Sequence, residues 1–337
     1  MELEGTVLVG REFEPVEGRV VVEDGTIQTV EEASTDSTSI ILPAFVNAHT
    51  HIGDSIAKEA GGGLDLDELV APPDGLKHRL LRAASQSEKI SAMRRSLQYM
   101  QSGGTAACIE FREGGREGVD AIRAAAAGVD LRPVILGRET ADAMEISDGF
   151  GASGARDGEF GSVRNATREA GKLFGIHAGE RDPDDINPAL DLEPDFLVHM
   201  VHPERLHLER VADREVPIVV CPRSNLVTNV GVPPIRDLVD RTKVALGTDN
   251  VMLNSPSMFR EMEFAAKLSD VSAGEVLRMA TVNGADIADL NCGLVEGGRD
   301  AKLLVLDGDS DNLTGVRDPV RAVVRRAGVS DVERVVL

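Results

Sequence analysis

The chain has 337 residues, 42% of them hydrophobic, which is long enough for one α/β barrel with a small additional domain. Its 57 acidic and 36 basic residues give a formal net charge of −21, which disfavours nucleic acid or an anionic membrane as the main partner. Three scattered cysteines, Cys108, Cys221 and Cys292, indicate neither a disulfide framework nor a thiolate zinc site. The acid-rich, lysine-poor composition is typical of proteins from salt-loving cells, where salt screens self-repulsion.

Both ends of the chain are predicted to form strands. The β-rich runs there are residues 18–22, 25–30, 301–307 and 320–325. Because chain termini often lie close together, we expect residues 1–42 and 294–337 to form one small β-sandwich domain. The first ten residues carry acids where a signal peptide needs bases, and no apolar run approaches 18 residues. A cytoplasmic protein is therefore expected.

Between the two ends, apolar strand-like runs alternate with helix-compatible segments. The eight runs are residues 43–48, 104–111, 131–137, 148–153, 172–178, 196–201, 217–221 and 243–248. The helix-compatible segments include 87–102, 117–127, 161–171, 204–214 and 234–241. Such alternation implies parallel pairing, and eight units imply a (β/α)8 barrel. We therefore assign residues 43–293 to a barrel domain.

One segment breaks this alternation. Residues 52–86 form a long connection after the first strand, with three glycines at 61–63 and Pro72-Pro73. A long glycine-rich loop in a compact domain is often a lid over a site. We expect this segment to cover the barrel mouth.

Three histidines and an aspartate lie at the ends of predicted strands. His49 and His51 end the first strand, and residues two apart on a strand point to the same side. His177 ends the fifth strand and Asp249 the eighth. Catalytic groups of such barrels lie at the carboxyl ends of the strands. The four residues therefore form a candidate site for zinc or iron.

The residues around these positions also match a known pattern. The segments are Leu42-Pro-Ala-Phe-Val-Asn-Ala-His-Thr-His51, His177-Ala-Gly-Glu180, His199-Met-Val-His202, Cys221-Pro-Arg-Ser-Asn225, Gly247-Thr-Asp-Asn250 and Ala280-Thr-Val-Asn-Gly-Ala285. In this order they resemble the motifs of the amidohydrolase superfamily. They are most similar to the branch that holds cytosine, guanine and adenosylhomocysteine deaminases and the chlorohydrolases.

The resemblance implies a role for each polar residue. Bound metal would lower the pKa of its water toward ~7 and so supply a hydroxide nucleophile. Asp249 would hold the ion and take a proton from that water. Glu180, which is not expected to be a ligand, would carry protons to the ring nitrogen and the departing amine. His199 would hydrogen-bond the attacking water or the tetrahedral oxygen.

The lysine distribution bears on the number of metal ions. Many superfamily members bridge two metals with a carboxylated lysine on the fourth strand, but no lysine occurs from residue 90 to residue 171. A single divalent ion is therefore expected, with Zn²⁺ as the first choice and Fe²⁺ as the alternative, because imidazole and carboxylate ligands suit both.

Candidates for substrate contact come from position alone. Glu110 and Arg112 end the second strand, Arg138 ends the third, and His202 follows the sixth. The two arginines could bind a carboxylate, a phosphate or a carbonyl oxygen. The chain departs from the branch in its shorter length and in Val220, which stands where the branch often has histidine, so substrate contacts are not carried over.

We expect metal-dependent deamination of an amino-substituted heterocycle such as a purine, pyrimidine, nucleoside or pterin. Hydrolysis of a cyclic amide, a formamide or a carbon–halogen bond is the close alternative, because the same metal site would serve it. A non-catalytic binding protein on a relic barrel is a remote alternative, since the expected metal and proton-transfer residues are all present. The expected partner is a small molecule, and a homodimer is the commonest assembly.

Overall fold

The computed structural model describes residues 1–71 and 73–337. Pro72, in the connection after the first barrel strand, lies outside the described residues. The strands are β1 Glu2–Val9, β2 Glu14–Glu23, β3 Thr26–Glu32, β4 Ile40–Pro43, β5 Phe45–His51, β6 Thr105–Arg112, β7 Arg132–Gly137, β8 Gly149–Ala152, β9 Leu173–Ala178, β10 Phe196–His199, β11 Ile218–Val220, β12 Val244–Leu246, β13 Asp249–Asn250, β14 Leu303–Leu306 and β15 Val332–Val336.

Fourteen α-helices connect these strands within the described residues. They are α1 Leu66–Val70, α2 Leu76–Ala83, α3 Gln86–Ser102, α4 Gly115–Ala126, α5 Ala141–Glu145, α6 Gly161–Ala170, α7 Ile186–Asp191, α8 Arg205–Asp213, α9 Pro222–Val227, α10 Ile235–Val239, α11 Met258–Leu268, α12 Ala273–Ala280, α13 Val282–Ile287 and α14 Pro319–Arg325. None of the described helices is long and apolar enough to cross a membrane.

The central sheet is the predicted barrel. Its order is β12-β11-β10-β9-β8-β7-β6-β5-β13, and every pair in it is parallel. Strands β12 and β13 are consecutive in the chain, so together they form an eighth strand. Its first half pairs with β11 and its second half with β5, which closes the barrel. The predicted (β/α)8 architecture is confirmed.

Two phenylalanine rings fill the barrel interior. Phe111 on β6 and Phe196 on β10 are fully buried, with ring centroids 6.0 Å apart. A Cβ atom at Gly151 would lie 2.6 Å from the Phe111 ring, and one at Gly175 would lie 2.4 Å from the Phe196 ring. The glycines of the fourth and fifth barrel strands, β8 and β9, therefore provide the space for these rings.

The two ends of the chain share a second sheet. Its order is β15-β14-β4-β1-β2-β3, so strands from both termini are neighbours, and the predicted small β-domain is confirmed. It is one hydrogen-bonded sheet of six strands, where we had expected a sandwich. Strand β4 pairs in parallel with β1 and ends at Pro43, and β5 begins at Phe45. The small sheet thus leads directly into the strand that carries His49 and His51.

One strand prediction near the C-terminus was wrong. Residues 320–325 belong to helix α14, and the last strand is β15 instead. The side chain of Asp318 accepts a hydrogen bond from the backbone N–H of Arg321, and Pro319 occupies the first helical turn. These are strong helix-start signals, and they outweigh the β-branched residues that suggested a strand.

Residues 52–71 and 73–86, which we call the cover segment, contain more helix than a glycine-rich loop is expected to have. A 3-10 helix, Ile52–Ala57, follows directly after β5, and α1 and α2 come next. The side chain of Asp65 accepts from the backbone N–H of Glu68, which caps α1. The cover segment is therefore a short helical insertion beside the carboxyl ends of the barrel strands.

Candidate metal centre and active site

Two strands place three imidazoles together. His49 and His51 project from the same side of β5, as the spacing predicts, and His177 lies near the end of β9. The ring centroid of His49 lies 4.9 Å from that of His51 and 5.0 Å from that of His177. The carboxylate of Asp249, at the start of the neighbouring strand β13, lies next to these rings.

The donor atoms of these residues converge. The Nε2 atoms of His51 and His177 are 3.4 Å apart, and Oδ1 of Asp249 is 3.3 Å from Nε2 of His49. Oδ1 of Asp249 is also 3.7 Å from Nε2 of His51. Neither ring nitrogen of His49 has a hydrogen-bond partner although the side chain is fully buried. Buried polar atoms are rarely left unpaired, so this donor set fits a bound cation.

Hydrogen bonds to the far sides of two rings fix their tautomers. Nδ1 of His177 lies 2.8 Å from the carbonyl oxygen of Ala152, and Nδ1 of His51 lies 3.2 Å from that of Phe111. A carbonyl oxygen can only accept, so Nδ1 carries the proton in both rings. Two Nε2 lone pairs therefore face one another, an arrangement that a cation between them would stabilise.

The electrostatics keep these groups in the forms that bind metals. Burial lowers the pKa of His49 and His177 and lowers the pKa of His51 to about 3, so the rings are neutral at pH 7. Burial alone would raise the pKa of Asp249, but its contact with His49 holds that pKa well below the usual range. Neutral imidazoles and an ionised carboxylate are the ligand forms that zinc requires.

A second group lies beside the first. Oε2 of Glu180, on the loop after β9, is 3.6 Å from Nε2 of His199 at the end of β10. The Glu180 side chain is 18% exposed, and burial raises its pKa. A carboxyl group with a raised pKa at the edge of a cavity is suited to proton transfer.

Asn225 links these two residues, although the sequence analysis assigns it no individual role. Its amide Nδ2 lies 3.1 Å from Nδ1 of His199 and 3.4 Å from Oε1 of Glu180. Because an amide N–H donates, Nδ1 of His199 accepts and the ring proton is on Nε2, directed toward Glu180. Ser224 next to it donates to Oδ2 of Asp249 at 2.6 Å. Both lie in the Cys221–Asn225 motif, which was the available signal.

Glu113 is a residue of the site that sequence reasoning missed. It follows β6 directly and is buried, and its Oε1 lies 2.8 Å from Nδ1 of His51. It stands in a polar Arg-Glu-Gly-Gly run that resembles any surface turn. Nothing in that run distinguishes it from an exposed carboxylate.

A cavity at the carboxyl ends of the strands connects these groups. Its empty volume is about 750 Å³, including its open mouth. His51, His177, Glu180, His199 and Asp249 line its floor. The cover segment contributes to the wall through residues of α1 and α2, so this segment does lie beside the site.

The four candidate substrate contacts divide into two groups. Arg138 lines the cavity, where its Nη1 is 3.2 Å from Oε1 of Glu113. Glu110, Arg112 and His202 are not among the described residues that line this cavity. Glu110 instead accepts from the hydroxyl of Thr50 and the backbone N–H of Ile52, both at 2.8 Å. It therefore braces the chain on either side of His51.

Comparison with known sequences identifies relatives along nearly the whole chain. The profile described as "Amidohydrolase family" matches residues 40–332. A protein of Methanothermobacter thermautotrophicus, named as an inferred aminohydrolase, is 34% identical to this chain. The alignment covers 96% of this chain and 93% of the relative. A 5-methylthioadenosine/S-adenosylhomocysteine deaminase of Haloarcula marismortui is 26% identical, with 94% and 84% covered.

Solved structures share the fold. The atrazine chlorohydrolase of Arthrobacter aurescens, determined with zinc, superposes with a TM-score of 0.82 at 19% sequence identity. The alignment covers 100% of this chain and 93% of the chlorohydrolase. The likeness therefore includes both the barrel and the terminal sheet.

Proposed function

The chain belongs to the amidohydrolase family of metal-dependent hydrolases, and from this premise we propose that it removes an amino group from an amino-substituted heterocycle. The carrying observation is the pair Glu180 and His199, 3.6 Å apart on the cavity floor beside the convergent imidazoles. A proton carrier and a hydrogen-bond donor next to a metal site are the groups that deamination needs. The deaminase of Haloarcula marismortui among its relatives supports the same reaction.

We assign the metal to His49, His51, His177 and Asp249. The orphaned nitrogens of His49 and the facing Nε2 atoms of His51 and His177 support this set. One divalent ion is proposed, with zinc first and iron(II) second, since three imidazoles and a carboxylate suit both. When bound, such an ion lowers the pKa of a water molecule toward ~7 and polarises it for attack.

The remaining steps are carried by side chains. Asp249 accepts a proton from the attacking water while the water oxygen bonds to the ring carbon that bears the amino group. His199 donates its Nε2–H to that oxygen, with Nδ1 engaged by Asn225. Glu180 gives its own proton to the adjacent ring nitrogen, then takes the remaining proton of the added hydroxyl group and passes it to the amine. The carbon–nitrogen bond then breaks to release ammonia, the oxygen becomes the carbonyl oxygen of the product, and the proton held by Asp249 returns to Glu180.

Among the candidate substrate contacts we retain Arg138, because it is the one of the four that lines the cavity among the described residues. We assign Glu110 and Arg112 to supporting the end of β5 and the turn after β6. The Nε of Arg112 donates to the backbone carbonyl of Glu113 at 2.9 Å, and its side chain is 3% exposed. His202 is not among the described residues that line the cavity, so we give it no substrate contact.

The wider setting follows from charge and size. A net charge of −21 and a polar cavity support a dissolved small molecule as substrate, in the cytoplasm of a high-salt cell. We also infer a division into residues 1–42 with 294–337 and residues 43–293, and a homodimer as the assembly.

Ammonia release tests the proposed reaction. Zinc-loaded and iron-loaded protein in high salt would be given amino-purines, amino-pyrimidines, their nucleosides and pterins. We expect release from one class, reduced about 10²- to 10⁴-fold in Glu180→Gln with the metal content unchanged. Glu159→Gln, an exposed carboxylate outside the cavity lining, is the matched control. Silence across the panel with one bound metal per chain would favour cyclic amide, formamide or carbon–halogen hydrolysis.

A further inference from the structure

The carboxylate of Glu113 receives three donors on one oxygen. Its Oε1 lies 2.8 Å from Nδ1 of His51, 2.6 Å from Nζ of Lys77 and 3.2 Å from Nη1 of Arg138. Its side chain is 4% exposed. The three donors come from β5, from α2 of the cover segment and from the residue that follows β7, so one buried oxygen joins three separate parts of the chain.

We propose that Glu113 is a positioning residue for the metal site, and that Lys77 makes its position depend on docking of the cover segment. This inference rests on the proposed function, because it takes His51 and Asp249 as ligands. It adds a residue that neither the strand pattern nor the family motifs indicate.

The contact with Glu113 reinforces the tautomer of His51 that leaves Nε2 facing the cavity. A carboxylate that accepts Nδ1–H keeps the proton there and leaves the Nε2 lone pair directed at Nε2 of His177. The carbonyl oxygen of Phe111 is a longer second acceptor at 3.2 Å. Since the carboxylate is both nearer and charged, it makes the stronger contact and increases the electron density that Nε2 offers a metal.

Lys77 reaches a second ligand by a separate route. Its Nζ donates to Oδ1 of Asn250 at 3.0 Å, and Nδ2 of Asn250 donates to Oδ1 of Asp249 at 3.0 Å. The ammonium group of Lys77 therefore contacts both the partner of His51, which is Glu113, and the partner of Asp249, which is Asn250. Lys77 is only 2% exposed, so α2 cannot leave its place without exposing this contact.

A positioning role and an ordinary buried ion pair predict different effects when one of the partners is removed. A pair that only stabilises the fold would change thermal stability when either partner is removed, and it would leave metal affinity per folded molecule unchanged. A positioning role predicts that metal affinity and coordination respond to Glu113, and that order in α1 and α2 responds to Lys77. The two roles therefore differ in measurable quantities.

The experiment compares Glu113→Gln, Lys77→Met and the double variant, with His51→Asn as the reference for a lost ligand. Zinc affinity would be measured by chelator competition on folded apo-protein, and coordination by the visible spectrum of the Co²⁺-loaded protein. We expect Glu113→Gln to weaken zinc binding about 10- to 100-fold and to alter the Co²⁺ spectrum. The double variant restores the net charge of the pair, and we expect the weakening to persist in it.

Hydrogen exchange tests the link to the cover segment. In the wild type, zinc should slow amide exchange in Leu66–Val70 and Leu76–Ala83, and in Lys77→Met this effect of zinc should be lost. Arg82→Met on the exposed face of α2 is the matched control and should behave as the wild type. Wild-type zinc affinity and Co²⁺ spectrum in the double variant, or unchanged zinc protection in Lys77→Met, would overturn the inference. If His51→Asn also kept wild-type affinity, the proposed metal site itself would be wrong.

Discussion

Two residues of the site adopt backbone conformations that their residue types rarely take. His199 has a φ of 80° and Asp249 a φ of 57°, in the left-handed region that favours glycine. Such conformations cost about 1 to 3 kcal/mol each and persist where the surroundings enforce them. His199 ends β10 and Asp249 begins β13, and both residues line the cavity. The positions of these two side chains therefore serve the chemistry of the site at a cost in the stability of the fold.

At this scale the sequence predicts the groups on strands and misses the groups that support them. His49, His51 and His177 could be placed together because strand alternation and barrel geometry fix where a strand-end side chain points. The contacts of Lys77 with Glu113 and Asn250 join residues 36 and 173 positions apart, by the difference of their numbers. No periodicity specifies such a contact, so only the folded chain shows it.

Removal of the Asn225 side chain tests the orientation of His199. In Asn225→Ala, Nδ1 of His199 loses its donor, and Nε2 no longer carries the proton in every molecule. We expect kcat to fall by up to about 10²-fold, the lower end of the cost of losing an oxyanion donor, with zinc content unchanged. Steady-state kinetics and metal analysis measure this.

Thr228→Ala is a suitable control, because Thr228 is buried on the same turn but its hydroxyl donates only to backbone carbonyls. Equal losses in the two variants would mean that packing, and not the ring tautomer, explains the effect of Asn225.

At the scale of elements, the interruption of the eighth strand matters most for the site. Strand β12 ends at Leu246 and β13 begins at Asp249, and across the gap the backbone N–H of Thr248 donates to the carbonyl oxygen of His49 at 3.1 Å. Asn47 bonds Thr248 through both its Nδ2 and its Oδ1, at 2.7 and 3.0 Å. These bonds align Asp249 with the histidines of β5.

Gly247 in this gap permits the close approach of β5. A Cβ atom there would lie 2.7 Å from Cβ of His49 and 3.0 Å from its backbone nitrogen. We expect Gly247→Ala to lower stability by about 1 to 3 kcal/mol and to weaken zinc binding, because the clash displaces a ligand-bearing strand. Chemical denaturation of the apo-protein and chelator competition would measure the two effects.

Gly274→Ala provides the comparison, because a Cβ atom at Gly274 in α12 meets nothing within 4 Å. That variant should gain about 0.5 to 1 kcal/mol, as alanine replaces glycine in a helix. A Gly247→Ala protein with wild-type stability and zinc affinity would contradict the proposed role of the gap.

Elements were predictable where the pattern was long and repeated. The eight barrel strands follow from their regular alternation with helices. The helical structure of residues 320–325 was not predictable in this way, because the β-branched residues there suit a strand. Only the capping of α14 by Asp318 indicates a helix. The short helices α1 and α2 were also missed, since five to eight residues give little periodicity among glycines and prolines.

At the scale of the whole molecule, the acidic surface should make stability depend on salt. With 57 acidic against 36 basic residues, like charges repel across the folded surface. Added KCl shortens the screening length from ~10 Å at 0.1 M to ~3 Å at 1 M. We therefore expect the thermal midpoint to rise over this range, as measured by circular dichroism or calorimetry.

A non-ionic osmolyte at the same osmolality separates screening from general exclusion effects. A midpoint that stays flat or falls in KCl would contradict the account of the surface. An equal rise in both solutions would show that surface charge is not the cause.

Anomalous diffraction at the zinc absorption edge, on crystals of the zinc-loaded protein, tests the central claim most directly. We expect one ion, bound by His49, His51, His177 and Asp249 at about 2.0 to 2.2 Å. We also expect Glu180 and His199 to lie beside this ion without ligating it. An ion bound elsewhere, a second ion sharing the site, or His177 outside the coordination sphere would contradict this claim.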